Sequence, residues 1–317
     1  MQGVILAAGK GSRLHPITMK RSKAMLPILG RPMVERVMET IHENGVRDFV
    51  LVVSADDKDI VQHFTEECAL DVQVRFAVQQ ERKGMADALR QAVPHIHGDF
   101  ILSACDNLTS KEHVRELLEC HREHPGAGGI LSVMPIAEEE IGRTGIVALN
   151  DGRVVRIVEK PTRAEAPSNI ASLPLYVFSP KILDLLPAVR LSPRGEYELQ
   201  DAIQALIEQD GGVYPVYIDN RLTVTGPADL LAINRHYLVA GQDKPQLVPF
   251  TVGPNTHLIT PLCIEEGTII GRDSIIGPRV YIERGCSIGD GVGLRDAVVL
   301  RGAVIPDGTS VANEVVS

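Results

Sequence analysis

The sequence predicts an α/β domain with a mainly parallel, mixed sheet, followed by a short parallel β-helix. Two observations carry this. Up to about residue 135, short apolar runs alternate with amphipathic segments, as repeated βα units do. From Val252 an aliphatic residue returns every six positions. A third feature, a Gly-rich cationic stretch behind the first apolar run, marks where chemistry is expected.

The elements follow in order. Val4–Ala8 is a continuous apolar run and predicts a buried strand. Pro32–Ile41 predicts a helix opened by proline, with Met33, Val34, Val37, Met38 and Ile41 on one face and Gly45 as a stop. Strands are expected at Phe49–Val53, Val72–Val78, Phe100–Cys105 and Ile130–Met134, and helices at Lys58–Glu67, Met85–Val93 and Ser110–His124. From about 140 the texture changes. Gly145–Leu149 and Arg153–Glu159 flank Asn150-Asp151-Gly152, a hairpin signal. Strand Leu175–Phe178, helices Ile182–Leu186 and Leu199–Gln209, strand Val213–Ile218 and helix Leu230–Tyr237 complete this region. The expected domains are 1–240 and 250–317.

Cut in sixes from Val252, the tail reads VGPNTH, LITPLC, IEEGTI, IGRDSI, IGPRVY, IERGCS, IGDGVG, LRDAVV, LRGAVI, PDGTSV, ANEVVS. Nine successive hexads open on Val, Leu or Ile, which is the hexapeptide repeat of a β-helix. Each such aliphatic points into a prism-shaped core and three hexads make a coil. Eleven hexads therefore predict between three and four coils.

Bulk properties narrow the function. With 317 residues, 44% hydrophobic and 23% charged, the chain has the composition of an ordinary globular protein. A net charge of −9 argues against broad nucleic-acid binding. The five cysteines are scattered without a CxxC, so reduced thiols are expected. No HExxH or zinc-finger spacing occurs, and His95, His97, His121 and His124 read as surface residues. Val4–Ala8 is too short for the apolar region of a signal peptide, and no run approaches the ~20 apolar residues of a membrane span. A cytoplasmic protein without membrane or nucleic-acid partners is expected.

The opening loop concentrates charge. Residues 1–34 hold Lys10, Arg13, Lys20, Arg21, Lys23 and Arg31 and no carboxylate. A Walker A loop fails because Gly3 lies one residue too far from Gly9 and Gly11 follows Lys10. A dinucleotide fingerprint fails because Leu14 stands at its third glycine. What survives is the physics both share: a strand, a turn of small residues, and exposed N–H groups that cradle phosphate oxygens. Ala7, Ala8, Gly9 and Gly11 leave room for a nucleotide against the backbone. Arg13 can fork onto two phosphate oxygens, and Lys23 can act as a point charge.

The run LAAGKGSRLHPIT from Leu6, with KAMLP from Lys23, resembles the signature of the sugar-1-phosphate nucleotidylyltransferases, although Ser22 replaces a proline. Several members of that family carry a C-terminal left-handed β-helix like this tail. The resemblance implies a Rossmann-like nucleotidyltransferase domain. It also implies Arg13, Lys23 and Asp106 as catalytic residues and Leu6, Ala7, Ala8, Gly9, Gly11, Gln79 and Gly84 at the nucleotide. Gln79 would read the base, and Gly84 opens the backbone in QQERKG. Asp106, at the end of ILSACD, would hold Mg²⁺. Gly145, Glu159, Lys160, Asn169 and Arg194 would meet the sugar phosphate, from the TGIV, EKP, SN and RGEYELQD stretches.

Three departures stand out. Leu173-Pro174-Leu175-Tyr176 replaces a T-G before a hydrophobic-Tyr pair, and proline offers no N–H to the sugar. Thr223 stands where relatives have a second metal-binding Asp, so Asp219, in YIDNRL, is the preferred second ligand; the alternative is none. Met85 and Cys105 replace a common Thr and Gly beside the nucleotide.

The resemblance implies a Mg²⁺-dependent transferase making NDP-sugar and pyrophosphate from an NTP and a sugar 1-phosphate. Glucose 1-phosphate with dTTP or UTP is the first pair. The alternatives are N-acetylglucosamine 1-phosphate with UTP, with or without acetyl transfer, mannose 1-phosphate with GTP, or a catalytically weak ligand-sensing paralogue. The short tail, in which His257 is the lone His, reads as an oligomerisation or regulatory module, and a homo-oligomer is expected.

Overall fold

The first apolar run becomes β1 (Gln2–Leu6), buried along its length and central in a nine-stranded sheet. It starts and ends two residues earlier than expected. Ala7 leaves the strand while its N–H still reaches the Val52 carbonyl at 2.8 Å. In this computed structural model the described residues are 1–210, 212–241 and 248–317. They pack as two units, Met1–Lys10, Ser22–Ala24 and Val34–Leu222 in the first, and Gly11–Arg21, Met25–Met33 and Thr223–Ser317 in the second.

After a short ladder of β2 (Pro27–Ile28) and β3 (Arg31–Pro32), α1 (Met33–His42) buries the apolar face expected of it. The βα units of the first unit continue with β4 (Asp48–Ser54), α2 (Lys58–Gln62), β5 (Gln73–Gln79), α3 (Met85–Ala92), β6 (Phe100–Ala104), α4 (Lys111–Glu123) and β7 (Gly129–Pro135). Ser110 caps α4 by accepting from the His113 N–H. The helix expected over Lys58–Glu67 is α-helical only to Gln62 and then widens into a π turn, His63–Glu67.

β1 pairs in parallel with β4 on one side and β6 on the other, and β4 pairs with β5. The hairpin β8 (Gly145–Asn150) and β9 (Arg153–Glu159) forms as its turn residues predict. β10 (Ile170–Phe178) is longer than the expected Leu175–Phe178. It runs antiparallel between β6 and β7, so the sheet is mixed. Its register slips between Leu173 and Tyr176, and Pro174 sits in that bulge. A bulge is where a strand tolerates a residue without an N–H. After α5 (Lys181–Leu185) and α6 (Leu199–Asp210), β11 (Val213–Tyr217) adds parallel to β7. Val4, Leu6, Val50, Val52, Leu102 and Phe178 pack with Leu89 of α3 and Ile203 and Leu206 of α6 in the main core. About 25 cal/mol per Å² of such apolar burial drives the assembly.

In the second unit α7 (Pro227–Ala240) precedes a parallel coil with three faces. One stacks β12 (Thr251–Val252), β15 (Ile269–Ile270), β18 (Ser287–Ile288) and β20 (Val304–Ile305). A second stacks β13 (His257–Leu258), β16 (Ile275–Ile276) and the starts of β19 (Gly293–Val299) and β21 (Ser310–Val316). The third stacks β14 (Leu262–Ile264), β17 (Val280–Ile282) and the ends of β19 and β21. Ile264, Ile270, Ile276, Ile282, Ile288 and Leu294 fill the core at the expected spacing of six.

The hexad frame then slips. Ile282 pairs with Val299, not Leu300, so the step after Leu294 is five residues, and Val299, Ile305 and Val311 carry the core onward. Leu300, placed at a hexad start by the sequence, lies outside that core cluster. The hexads counted as starting on Pro306 and Ala312 actually start on Ile305 and Val311.

Candidate functional site

The parallel strands β4, β1 and β6 end on one side of the first unit, with Leu6 paired to Val52 and to Ala104. The chain leaves β1 toward β4 and returns on the far side as β6. The crevice between the ends of β1 and β6 is therefore the topological switch point, where open α/β sheets bind ligands. Just beyond those ends lie Ala7–Gly9 and Cys105–Asp106, and the Cys105 N–H bonds the Leu6 carbonyl at 3.2 Å. Ala7 and Ala8 are buried, while Gly9 faces open space.

The Lys23 ammonium forms an ion pair with the Asp106 carboxylate, both side chains being largely buried. The cations of residues 1–34 are thus not all unopposed. Lys23 has Asp106, and in the second unit Arg21 has Glu283 at 2.9 Å. Burial, then the neighbouring Asp106 charge, pushes the Cys105 thiol up to about 12 and makes it a poor nucleophile.

Gln79, at the end of β5, is buried. Its Nε2 donates to the Gly84 carbonyl (3.2 Å) and to Asp87 (2.8 Å), which fixes the orientation of the amide. Gly84 has φ +97° and ψ 177° at the start of α3, and a Cβ there would lie 2.6 Å from the Tyr197 carbonyl oxygen. Only glycine fits both conditions. Arg13 and Gly11 lie in the second unit. Gly11 takes the left-handed conformation (φ +62°) and opens the 3₁₀ turn Ser12–Leu14, which presents Arg13 to solvent over buried Leu14.

Gly145 and Glu159 face each other across the hairpin β8–β9, and a Cβ on Gly145 would meet Glu159 Oε2 at 3.2 Å. That oxygen is buried without a hydrogen-bond partner among the described residues. Burial pushes the Glu159 carboxyl up, against the pull of Lys160, whose Nζ lies 3.2 Å from Oε1. Arg194 donates to Glu198 at 2.9 Å, and its charge reaches Glu159. Asn169 stands apart from this group. It is exposed, bonds the Ile136 carbonyl, and lies three residues before Ser172, the partner of Gly145, about 10 Å along the strand. Asp219 is exposed and acts electrostatically on His113.

Two arginines were not singled out from the sequence. Arg82 Nε donates to the Ala8 carbonyl at 2.7 Å and so fixes the peptide before Gly9. Arg221 is half-buried, its Nε has no partner among the described residues, and its charge faces Asp106 and Tyr176. Both stand inside motifs already quoted, QQERKG and YIDNRL, and that adjacency was the available signal.

Residues 2–221 match the family model described as Nucleotidyl transferase, and residues 258–317 match the one described as GMPPB C-terminal domain. A UTP–glucose-1-phosphate uridylyltransferase, AglF of Haloferax volcanii, is 34% identical over 231 residues, which is 72% of this chain and 93% of AglF. The Bifunctional protein GlmU of Methanococcus maripaludis is 30% identical over 275 residues, 85% of this chain; the match spans 62% of GlmU. The crystal structure of a UDP-glucose pyrophosphorylase complexed with UDP-glucose superposes with a TM-score of 0.68, covering 75% of this chain and 98% of that one. At 21% identity it speaks for the fold.

Proposed function

The chain belongs to the nucleotidyl transferase family, and on that premise we propose that it joins a sugar 1-phosphate to a nucleoside triphosphate, releasing pyrophosphate. Glucose 1-phosphate with UTP or dTTP is the proposed pair. The observation that carries the proposal is the Lys23–Asp106 pair beside Ala7–Gly9 at the switch point. It sets a cation and a hard carboxylate in a crevice lined by small residues.

A phosphate oxygen of the sugar 1-phosphate attacks the α-phosphorus in line and pyrophosphate leaves, so no protein nucleophile is required. Lys23 neutralises charge on the transferring phosphates, with Arg13 in the same role. Gln79, with its amide orientation held by Gly84 and Asp87, offers a carbonyl to the base. Glu159 Oε2, which has no donor among the described residues, accepts from sugar hydroxyls, and Lys160 and Arg194 face the sugar phosphate. Asp106 offers Mg²⁺ a hard carboxylate oxygen, which the cation would share with, or take over from, the Lys23 ammonium that pairs with it. A bound Mg²⁺ would supply charge neutralisation at the phosphates. Asp219 is the proposed second ligand. Arg221 is a second cation facing Asp106, after Lys23.

A second reading, N-acetylglucosamine 1-phosphate with UTP, is favoured by the similarity to GlmU over 85% of this chain. One experiment separates these cases. The nucleoside triphosphates are crossed with glucose, N-acetylglucosamine and mannose 1-phosphates, with Mg²⁺ or EDTA, and pyrophosphate is scored. Release with glucose 1-phosphate and UTP or dTTP, abolished by EDTA, is expected. Binding without release for every pair would make the chain a ligand sensor. The same proposal has the chain working as a cytoplasmic homo-oligomer. Exposed Ile269, Ile275 and Val304 on the coil support the association, and light scattering tests it.

A further inference from the structure

A second cluster of reactive side chains lies in the first unit where α2 widens into its π turn. π turns of this kind occur often at functional sites. At its head His63 is buried and holds a carboxylate on each ring nitrogen. Nε2 lies 2.5 Å from Glu35 Oε2, in the first turn of α1, and Nδ1 lies 3.3 Å from Glu67 Oε2 at the end of the π turn. The next residue, Cys68, is a free, half-buried thiol that also bonds the His63 ring. One donor atom each from Glu35, His63 and Cys68 lie within 4.8 Å of one another.

From this arrangement we infer a binding site for a zinc-class divalent cation, held by Glu35, His63 and Cys68 with water as fourth ligand, while Glu67 accepts from the other His63 ring nitrogen and orients the imidazole. Three features support it. First, carboxylate oxygen, imidazole nitrogen and thiolate sulfur are the donor types zinc takes together, whereas Mg²⁺ and Ca²⁺ prefer oxygen alone. Second, zinc–ligand bonds of about 2.0–2.3 Å place tetrahedral donors roughly 3.3–3.8 Å apart. Donors already within 4.8 Å therefore need only a modest contraction. Third, the pocket already favours positive charge. The carboxylates of Glu35 and Glu67 face the two ring nitrogens of His63 and supply the negative charge that a bound cation would balance.

A protonated His63 between two carboxylates accounts for those three groups but gives Cys68 no role as a ligand. On binding, one His63 ring nitrogen and the Cys68 thiol each release a proton to solvent. The cation takes the nitrogen lone pair and the thiolate, and no electron is transferred. The cation would tie α1 to the end of α2. The opposite end of α2 carries Asp59, which accepts from the Ser22 N–H at 3.4 Å, next to Lys23.

The test uses the full chain, stripped with EDTA, desalted, and titrated with Co²⁺ and then Zn²⁺. A tetrahedral visible spectrum with a thiolate-to-cobalt charge-transfer band, saturating at one equivalent and bleached by Zn²⁺, is expected. Excess Mg²⁺ should leave the band in place, and so should Asp106→Asn, which separates this cation from the one at the crevice. Cys68→Ser should lose the band and the zinc-dependent rise in Tm while keeping its circular dichroism. Glu67→Gln, at an exposed carboxylate, should weaken cobalt affinity severalfold; if His63→Gln fails to fold, these two variants still decide the matter. Absence of a charge-transfer band in the wild type, or an unchanged band in Cys68→Ser, would overturn the site.

Discussion

Gly84→Ala is the sharpest test of how the candidate nucleotide crevice is built. An alanine there meets two separate obstacles. The backbone holds φ +97° and ψ 177°, a region nearly confined to glycine, where another residue costs about 1–3 kcal/mol. The added Cβ would also stand 2.6 Å from the Tyr197 carbonyl oxygen and 2.9 Å from its nitrogen. Neither atom can retreat freely. Tyr197 N–H donates to the Lys83 carbonyl at 2.7 Å, and its carbonyl accepts from the Ala86 N–H at 3.0 Å. Relieving the clash breaks at least one of these bonds, at roughly 1 kcal/mol each. The expected destabilisation is about 3–4 kcal/mol, a large share of the ~5–15 kcal/mol that holds a typical domain together.

Gly98→Ala isolates the backbone cost, because Gly98 has φ +113° and a Cβ there meets nothing within 4 Å. Urea unfolding of the two variants, at unchanged m, should show Gly84→Ala losing more than Gly98→Ala. The difference measures the contact with Tyr197. Because the Gly84 carbonyl holds the Gln79 amide, the surviving Gly84→Ala enzyme should also show a raised KM for nucleotide. Equal stability losses in the two variants would refute the claim that Tyr197 closes against Gly84. An unchanged KM would refute the link to Gln79.

Lys23→Ala should keep its fold and lose about 10²–10³ in kcat, read as pyrophosphate release; near-normal turnover would remove Lys23 from the chemistry. Asp296→Asn should cost the coil roughly 2 kcal/mol at pH 7, measured by thermal unfolding. Hydrogen bonds from Arg279, and behind them the charge of Arg235, hold the Asp296 carboxyl below its ordinary 3.8 despite burial. Its contribution is therefore fully present above that value and is lost as pH falls through the lower folded one. The gap between wild type and Asp296→Asn should narrow steadily below pH 4, and a gap independent of pH would contradict the ion pair.

The βα alternation was legible because it is written in local periods, and the helix and strand positions follow from them closely. Partners distant in the chain were not. β10 enters between β6 and β7 by antiparallel pairing, which no local pattern announces. The cationic opening looked unopposed because the counter-charges of Lys23 and Arg21 arrive from 83 and 262 positions away. At the candidate site the small residues after β1 and the carboxylate after β6 were visible, since strand ends carry their own signal. Arg82 and Arg221 were not, because an arginine's role depends on which carbonyl or carboxylate the fold brings to it.

The coil shows how an irregularity in a repeat can carry structural information. Val298, Val299 and Leu300 are all aliphatic, so the sequence admits two frames, and the unbroken one chooses Leu300. Pairing of Val280 with Ala297, and of Ile276 with Leu294, places the missing residue at Arg295-Asp296. Asp296 turns that shortened corner in the left-handed conformation (φ +50°). Its carboxylate takes Arg279 from the neighbouring corner at 2.5 Å and Arg235 of α7 at 3.1 Å, while Arg235 also reaches Asn313 at 3.2 Å. A regular hexad would add a residue to this corner and shift Asp296 along the rung, away from one of its two arginines. The repeat departs from regularity at the place where the coil must accept a helix. A break in an otherwise consistent pattern is best read first as a contact the pattern cannot describe.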